Sequence, residues 1–139
     1  MTETIETTTF EALGVDPAII ATLAEQGIAA PFAIQNLTIG DGIAGRDVCG
    51  KAKTGSGKTL AFGIPMLQRV STAQPKRPTG MVLVPTRELA VQVKDALGPL
   101  GKATGVRVKA MYGGVSMDPQ IDALRKGVEI IVEIGRAHV

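Results

Sequence analysis

The run Ala52-Lys53-Thr54-Gly55-Ser56-Gly57-Lys58-Thr59 spaces glycines, hydroxyls and lysines as a bound triphosphate would require. Phosphates need several backbone N–H donors and a fixed cation, and a glycine-rich turn feeding a helix N-terminus supplies both. Gly55 and Gly57 let the backbone curl with no Cβ in the way. Lys58 can then reach the β and γ oxygens, and the Thr59 hydroxyl can ligate Mg²⁺. The generic signature opens on glycine, and this chain has Ala52 there. The competing reading is a Gly/Ser turn with an incidental lysine. An apolar segment before the run and a helical pattern after it favour nucleotide binding.

The flanking elements decide whether such a loop can form. Val48-Cys49-Gly50 reads as the core of a short buried strand, which makes Cys49 a structural thiol. The helix after the loop carries Leu60, Ile64 and Leu67, with a kink expected at Pro65. Upstream, Asp16-Pro17 is an N-cap followed by proline at the first helical position, and Gly27 is the stop. Ile19, Ile20, Leu23 and Ala24 form the apolar face of that helix, and a second helix spans about Pro31 to Ile43.

Downstream, Met81-Val82-Leu83-Val84 is an uninterrupted apolar strand, as expected when both sheet faces are covered. Thr86 caps a helix with Leu89, Ala90, Val93, Ala96 and Leu97 on its buried side, ending at Gly98-Pro99. A strand near Val106–Met111, a helix near Asp118–Lys126 and a strand at Val128–Val132 follow, and 73–79 is a loop. Such alternation implies a parallel sheet with helices on both faces.

Composition sets the outer bounds. At 45% hydrophobic and 20% charged, the 139 residues suit one soluble domain. One cysteine excludes an intramolecular disulfide and a Cys-based zinc site. The polar, acidic start is unlike a signal peptide and no apolar run reaches membrane-spanning length, so a cytoplasmic location is expected. Residues 1–45 hold six acidic residues and no Lys or Arg, whereas residues 46–139 hold all 15 basic residues against seven acidic ones. A basic second part beside a phosphate loop suits an anionic polymer as well as a nucleotide, although solvated surface lysines would look the same.

Three further segments carry a family resemblance. Gly27-Ile28-Ala29-Ala30-Pro31-Phe32-Ala33-Ile34-Gln35 resembles the Q motif of DEAD-box RNA helicases, with Phe10 at the place of its isolated upstream aromatic. Pro85-Thr86-Arg87-Glu88-Leu89-Ala90 matches that family's motif Ia, and Gly113-Gly114 its GG pair. The loop resembles the family's motif I, whose leading residue is normally alanine. The resemblance covers residues 10–132. It implies an α/β fold, a P-loop RecA-like parallel sheet with helices on both faces, here incomplete.

The resemblance also implies roles. ATP and Mg²⁺ would be the cofactors, held by Phe10, Ile28, Gln35, Thr54, Gly55, Ser56, Gly57, Lys58 and Thr59. Gln35 would read adenine, because an amide offers the base a donor and an acceptor. Lys58 and Thr59 would be the catalytic pair, with Thr59 the one metal ligand in this chain. Pro85, Thr86, Arg87, Gly113 and Gly114 would hold single-stranded RNA by its backbone, with little sequence specificity. The family usually has an aromatic at Ile28, a basic residue near Ala30 and Thr-Pro at Phe32-Ala33.

Hydrolysis in the family also needs motif II carboxylates and an arginine from a second RecA-like domain. Neither is expected in this chain, so the 139 residues alone are expected to be inactive and their open sheet edges prone to aggregation. Residues 1–8 read as a disordered leader and 9–132 as the front of RecA-like domain 1. Residues 133–139, Glu-Ile-Gly-Arg-Ala-His-Val, resemble a translated short-read sequencing adapter and are expected to be non-native. Two alternatives stay open: a non-catalytic nucleotide- or RNA-binding truncated protein, and another P-loop NTPase such as a DNA helicase.

Overall fold

Asp16 and Pro17 start the first helix as their chemistry dictates. The Asp16 carboxylate accepts the Ala18 N–H at 2.8 Å, and Pro17 occupies a position whose own N–H would have no helical partner. The computed structural model describes residues 8–53, 55, 57–70, 78–111 and 127–134. These fall into two compact units, one ending at Gln68 and the other starting at Arg69. All but the last residue of the expected leader (residues 1–8), most of the 73–79 loop and the expected helix at 118–126 lie outside the described residues.

The first unit is helical: α1 (Pro17–Glu25), α2 (Ala33–Ile43) and α3 (Lys58–Arg69). Its core gathers Phe10, Val15, Ile19, Leu23, Ile39, Ala61, Ile64 and Leu67. The buried stripe of α1 is narrower than expected, because Ile20 is half-buried and Ala24 exposed. The Gln68 side chain pins the turn before α1, donating to the Gly14 carbonyl at 3.0 Å and accepting the Asp16 N–H at 2.9 Å. Pro65 lies inside α3 and is buried. Its ring approaches α2 at Gly42, where a Cβ would stand 2.7 Å from Pro65 Cγ. Glycine at 42 therefore makes room for the proline.

The expected strand at Val48–Gly50 does not form. Residues 46–50 carry no regular structure, and Val48 and Cys49 are exposed, so Cys49 is not the buried thiol the apolar run suggested. A strand needs ladder partners, and among the described residues the sheet contains three strands, none from this segment.

The second unit is built from β1 (Gly80–Val84), α4 (Arg87–Thr104), β2 (Val108–Met111) and β3 (Ile130–Ile134). The sheet is open and parallel in the order β1-β3-β2, with Val82 opposite Val132 and Ala110 opposite Val132 on the other side. The last strand runs past the expected limit at Val132, since Glu133 and Ile134 pair with Leu83 and Val84. Ala90, Val93, Leu97 and Leu100 give α4 the buried stripe that packs on the sheet.

Two expectations fail here for physical reasons. Helix α4 does not stop at Gly98-Pro99 but continues to Thr104, ending at Gly105 with φ 77°. A proline inside a helix costs about 3 kcal/mol, whereas each fully buried leucine contributes about 1.5–3 kcal/mol. Leu97 and Leu100 flank Pro99 and are fully buried, so packing wins. Nor do the described residues of this unit cover β1 on both faces: Val82 and Val84 are buried, whereas Met81 and Leu83 are 55% and 64% exposed. Among the described residues of this unit, a single helix covers the sheet.

Glu129 closes the end where the strands start. It is 3% exposed, and its carboxylate accepts the Arg107 backbone N–H at 3.2 Å and Arg107 side-chain bonds at 3.2 and 2.9 Å. Its own carbonyl accepts the N–H groups of Thr79 and Gly80 at 2.9 and 2.8 Å. These hydrogen bonds to Glu129 push the Arg107 guanidinium above its ordinary pKa, with the charge attraction adding to them.

The Gly42–Pro65 contact makes a direct prediction. Gly42→Ala should cost about 1–3 kcal/mol by overpacking, read as a lower urea midpoint at unchanged slope.

Candidate functional site

In the first unit the loop and α2 meet at Gly57. Gly55 and Gly57 adopt φ of 81° and 84°, the left-handed region that other residues avoid. The Gly57 carbonyl accepts the Ala61 N–H at 3.1 Å, so this glycine caps α3, which begins at Lys58. Lys58 is exposed and Thr59 half-buried at the helix start, where amides without helical partners and the dipole favour an anion. Thr54 and Ser56 lie outside the described residues.

Gln35 ties α2 to this turn. Its Oε1 accepts the Phe32 N–H at 2.9 Å and its Nε2 donates to the Gly57 carbonyl at 3.1 Å. The first bond is half of a capping box; the reciprocal half is missing because the Phe32 side chain has no acceptor. At 1% exposure Gln35 is a satisfied core amide, not a side chain on an exposed helix face. It keeps one N–H and one lone pair beyond the two bonds described.

Two cavities flank the loop within this unit. One, of about 450 Å³, is lined by Phe32, Ala33, Ile34, Leu37, Lys51, Ala52 and Gly55. The other, of about 330 Å³, includes Thr38, Arg46, Val48, Lys58 and Phe62. Neither is lined by Phe10 or Ile28. Phe10 is a core residue, and Ile28 is half-buried with its N–H on the Leu23 carbonyl at 2.9 Å.

Phe32, known from sequence only as a departure from the family's pattern and not as a site residue, is 55% exposed beside the loop. A Cβ on Gly57 would stand 2.8 Å from its Cδ2, so the ring rests on the loop backbone. The available signal was a phenylalanine at a helix N-cap, where Ser, Thr, Asp or Asn is favoured.

In the second unit, Pro85, Thr86 and Arg87 lie where β1 passes into α4, at the strand's carboxyl end. All three are exposed. The Thr86 hydroxyl accepts the Leu89 N–H at 3.2 Å, as its cap role requires. Carboxyl ends of parallel strands are where ligands bind open α/β sheets. Gly113 and Gly114 lie outside the described residues. No group of three or more His, Cys, Asp or Glu able to hold a metal occurs among the described residues, and no described helix is long and apolar enough to cross a membrane. Thr59 is the described loop hydroxyl that can offer Mg²⁺ an oxygen. Mg²⁺ takes most of its remaining ligands from phosphate and water, so the loop fits the ion as one contributor.

Known proteins resemble this arrangement over most of its length. The DEAD/DEAH box helicase family model matches residues 32–137. The DEAD-box ATP-dependent RNA helicase CshA of Bacillus cereus is 42% identical over 125 residues, covering 90% of this chain and 24% of that protein. The ATP-dependent RNA helicase DeaD of Escherichia coli is 47% identical over 126 residues, covering 90% and 20%. The RNA-helicase Prp28 from Chaetomium thermophilum, solved bound to ADP, superposes with a TM-score of 0.83 at 33% identity, covering 96% of this chain and 34% of that one. The chain thus spans a quarter or less of the length of these curated relatives.

Removing the Gln35 amide should loosen the loop before it unfolds the unit. Gln35→Ala leaves the Phe32 N–H and the Gly57 carbonyl one partner short, at about 1–3 kcal/mol. Hydrogen exchange should speed up at Asn36 and Ala61 more than in α1.

Proposed function

We propose that this chain, which belongs to the DEAD/DEAH box helicase family, is the nucleotide-binding front part of an ATP-dependent RNA helicase. The observation that carries the reading is the junction at Gly57. There two left-handed glycines lead into a helix at Lys58, and the second is held by an amide from α2. On this reading the N–H groups of the loop and of the first turn of α3 take the phosphates, and Lys58 supplies the cation. Thr59 contributes one oxygen to Mg²⁺. The base lies against Phe32 and the spare donor and acceptor of Gln35.

Thr86 and Arg87 hold an RNA phosphate by the same physics, since a capped helix start presents N–H groups and a positive dipole end. Such contacts fix the strand without reading its bases. Bond cleavage and duplex opening belong to the longer protein. In-line attack on a γ-phosphate needs carboxylate-held Mg²⁺ and an arginine at the developing charge. This chain's part is to bind and orient the nucleotide.

The chain has no tryptophan, so Phe32→Trp adds a single emitter beside the loop. Its fluorescence should change on titration with ATP–Mg²⁺. Adding Lys58→Ala removes a charge-assisted contact worth about 1.5–3 kcal/mol, and the apparent Kd should rise roughly 10- to 100-fold. A flat titration in the Trp variant, together with no ATP uptake by equilibrium dialysis of the unaltered chain, would refute the reading.

A further inference from the structure

A second cationic feature sits at the far end of α4. A groove of about 370 Å³ lies where α4 ends and β2 begins, lined by Gly98, Lys102, Gly105, Arg107 and Lys109 with two intervening valines. Lys102 is in the last turn of α4, Arg107 precedes β2, and Lys109 lies on β2, an edge strand of the sheet. All three are exposed. Glu129 faces Arg107, is itself buried, and fixes the guanidinium by two side-chain bonds. Lys102 and Lys109 make no ion pair among the described residues, where Asp95 on α4 lies against Lys94 instead.

We infer that this groove is a second contact for the phosphate backbone of RNA, resting on the RNA reading above and distinct from Pro85–Arg87. Lysines are point charges that suit phosphates without demanding geometry, whereas a fixed guanidinium adds orientation. Apart from the three cations, its described lining is glycine and valine, so a sugar–phosphate chain can approach closely, and none of these residues is an aromatic on which a base would stack. Helix α4 has 18 residues, so its two ends lie about 27 Å apart. One RNA strand of several nucleotides could touch both.

Local explanations exist for each lysine alone: Lys102 complements a helix C-terminus and Lys109 guards an edge strand. Neither explains why the two converge with Arg107 on one groove. An RNA contact also makes a quantitative claim, because each phosphate neutralised on a single strand adds about 0.7 to the slope of log K against log salt.

The test uses the full 139-residue chain and a fluorescein-labelled oligouridine, with anisotropy titrations across a salt series. Lys102→Gln/Lys109→Gln should reduce the salt slope by about 1.4, and weaken binding roughly 60-fold at about 0.05 M salt when extrapolated curves meet at 1 M. Arg87→Ala is measured alongside, and circular dichroism checks that each variant folds. An unchanged slope in the lysine pair, with binding weakened by Arg87→Ala, overturns the groove and leaves the RNA reading intact. If the unaltered chain binds no oligouridine, both fall. If polyglutamate displaces the RNA as readily as unlabelled oligouridine, and loses affinity equally in the lysine pair, the groove takes acidic protein and the RNA assignment fails.

Discussion

Position 57 tolerates no side chain for two separate reasons, and the geometry around the loop follows from both. Its φ of 84° excludes ordinary residues, and the space a Cβ would fill is taken by the Gln35 amide and the Phe32 ring. The backbone is therefore held from two directions at once. Gln35 draws the carbonyl towards α2, while Ala61 draws it into the first turn of α3. A phosphate cradle works only if its N–H groups already point inward, because ordering them on binding would consume affinity. On the proposed reading, the buried amide contributes to that ordering by fixing the Gly57 carbonyl before any ligand arrives.

The second unit has its own fixed point at Glu129. One residue grips the approach to β2 with its carboxylate and the start of β1 with its carbonyl. Burying a carboxylate is unfavourable unless its oxygens are satisfied, and here two oxygens share three bonds from Arg107. These contacts brace the amino ends of the strands. The carboxyl end of β1 is left to Pro85, Thr86 and Arg87, opposite the brace, whereas the groove of Lys102, Arg107 and Lys109 shares the braced edge.

Local signals in the sequence were read well because their chemistry is local. Asp16 before Pro17, Thr86 three residues before Leu89, and the paired glycines of the loop each determine the conformation of their own few residues. What failed depended on partners distant in sequence. Val48–Gly50 has the composition of a strand but finds no ladder, and Gly98-Pro99 has the composition of a stop but lies between two buried leucines. The roles of Gln35 and Glu129 were hidden for the same reason. A glutamine bonded 22 positions away, or a glutamate whose partner is 22 positions back, leaves no periodic trace.

The exposure of Cys49 has a practical side. It is the sole thiol of the chain, stands at the surface, and precedes the first residue of the loop by three positions. A maleimide dye or spin label would therefore attach at one place, with no engineering, next to the segment whose rigidity matters most. The same accessibility leaves the chain open to air oxidation into a disulfide-linked pair. Purification without reductant would then yield a covalent dimer formed at Cys49 rather than by any folded interface.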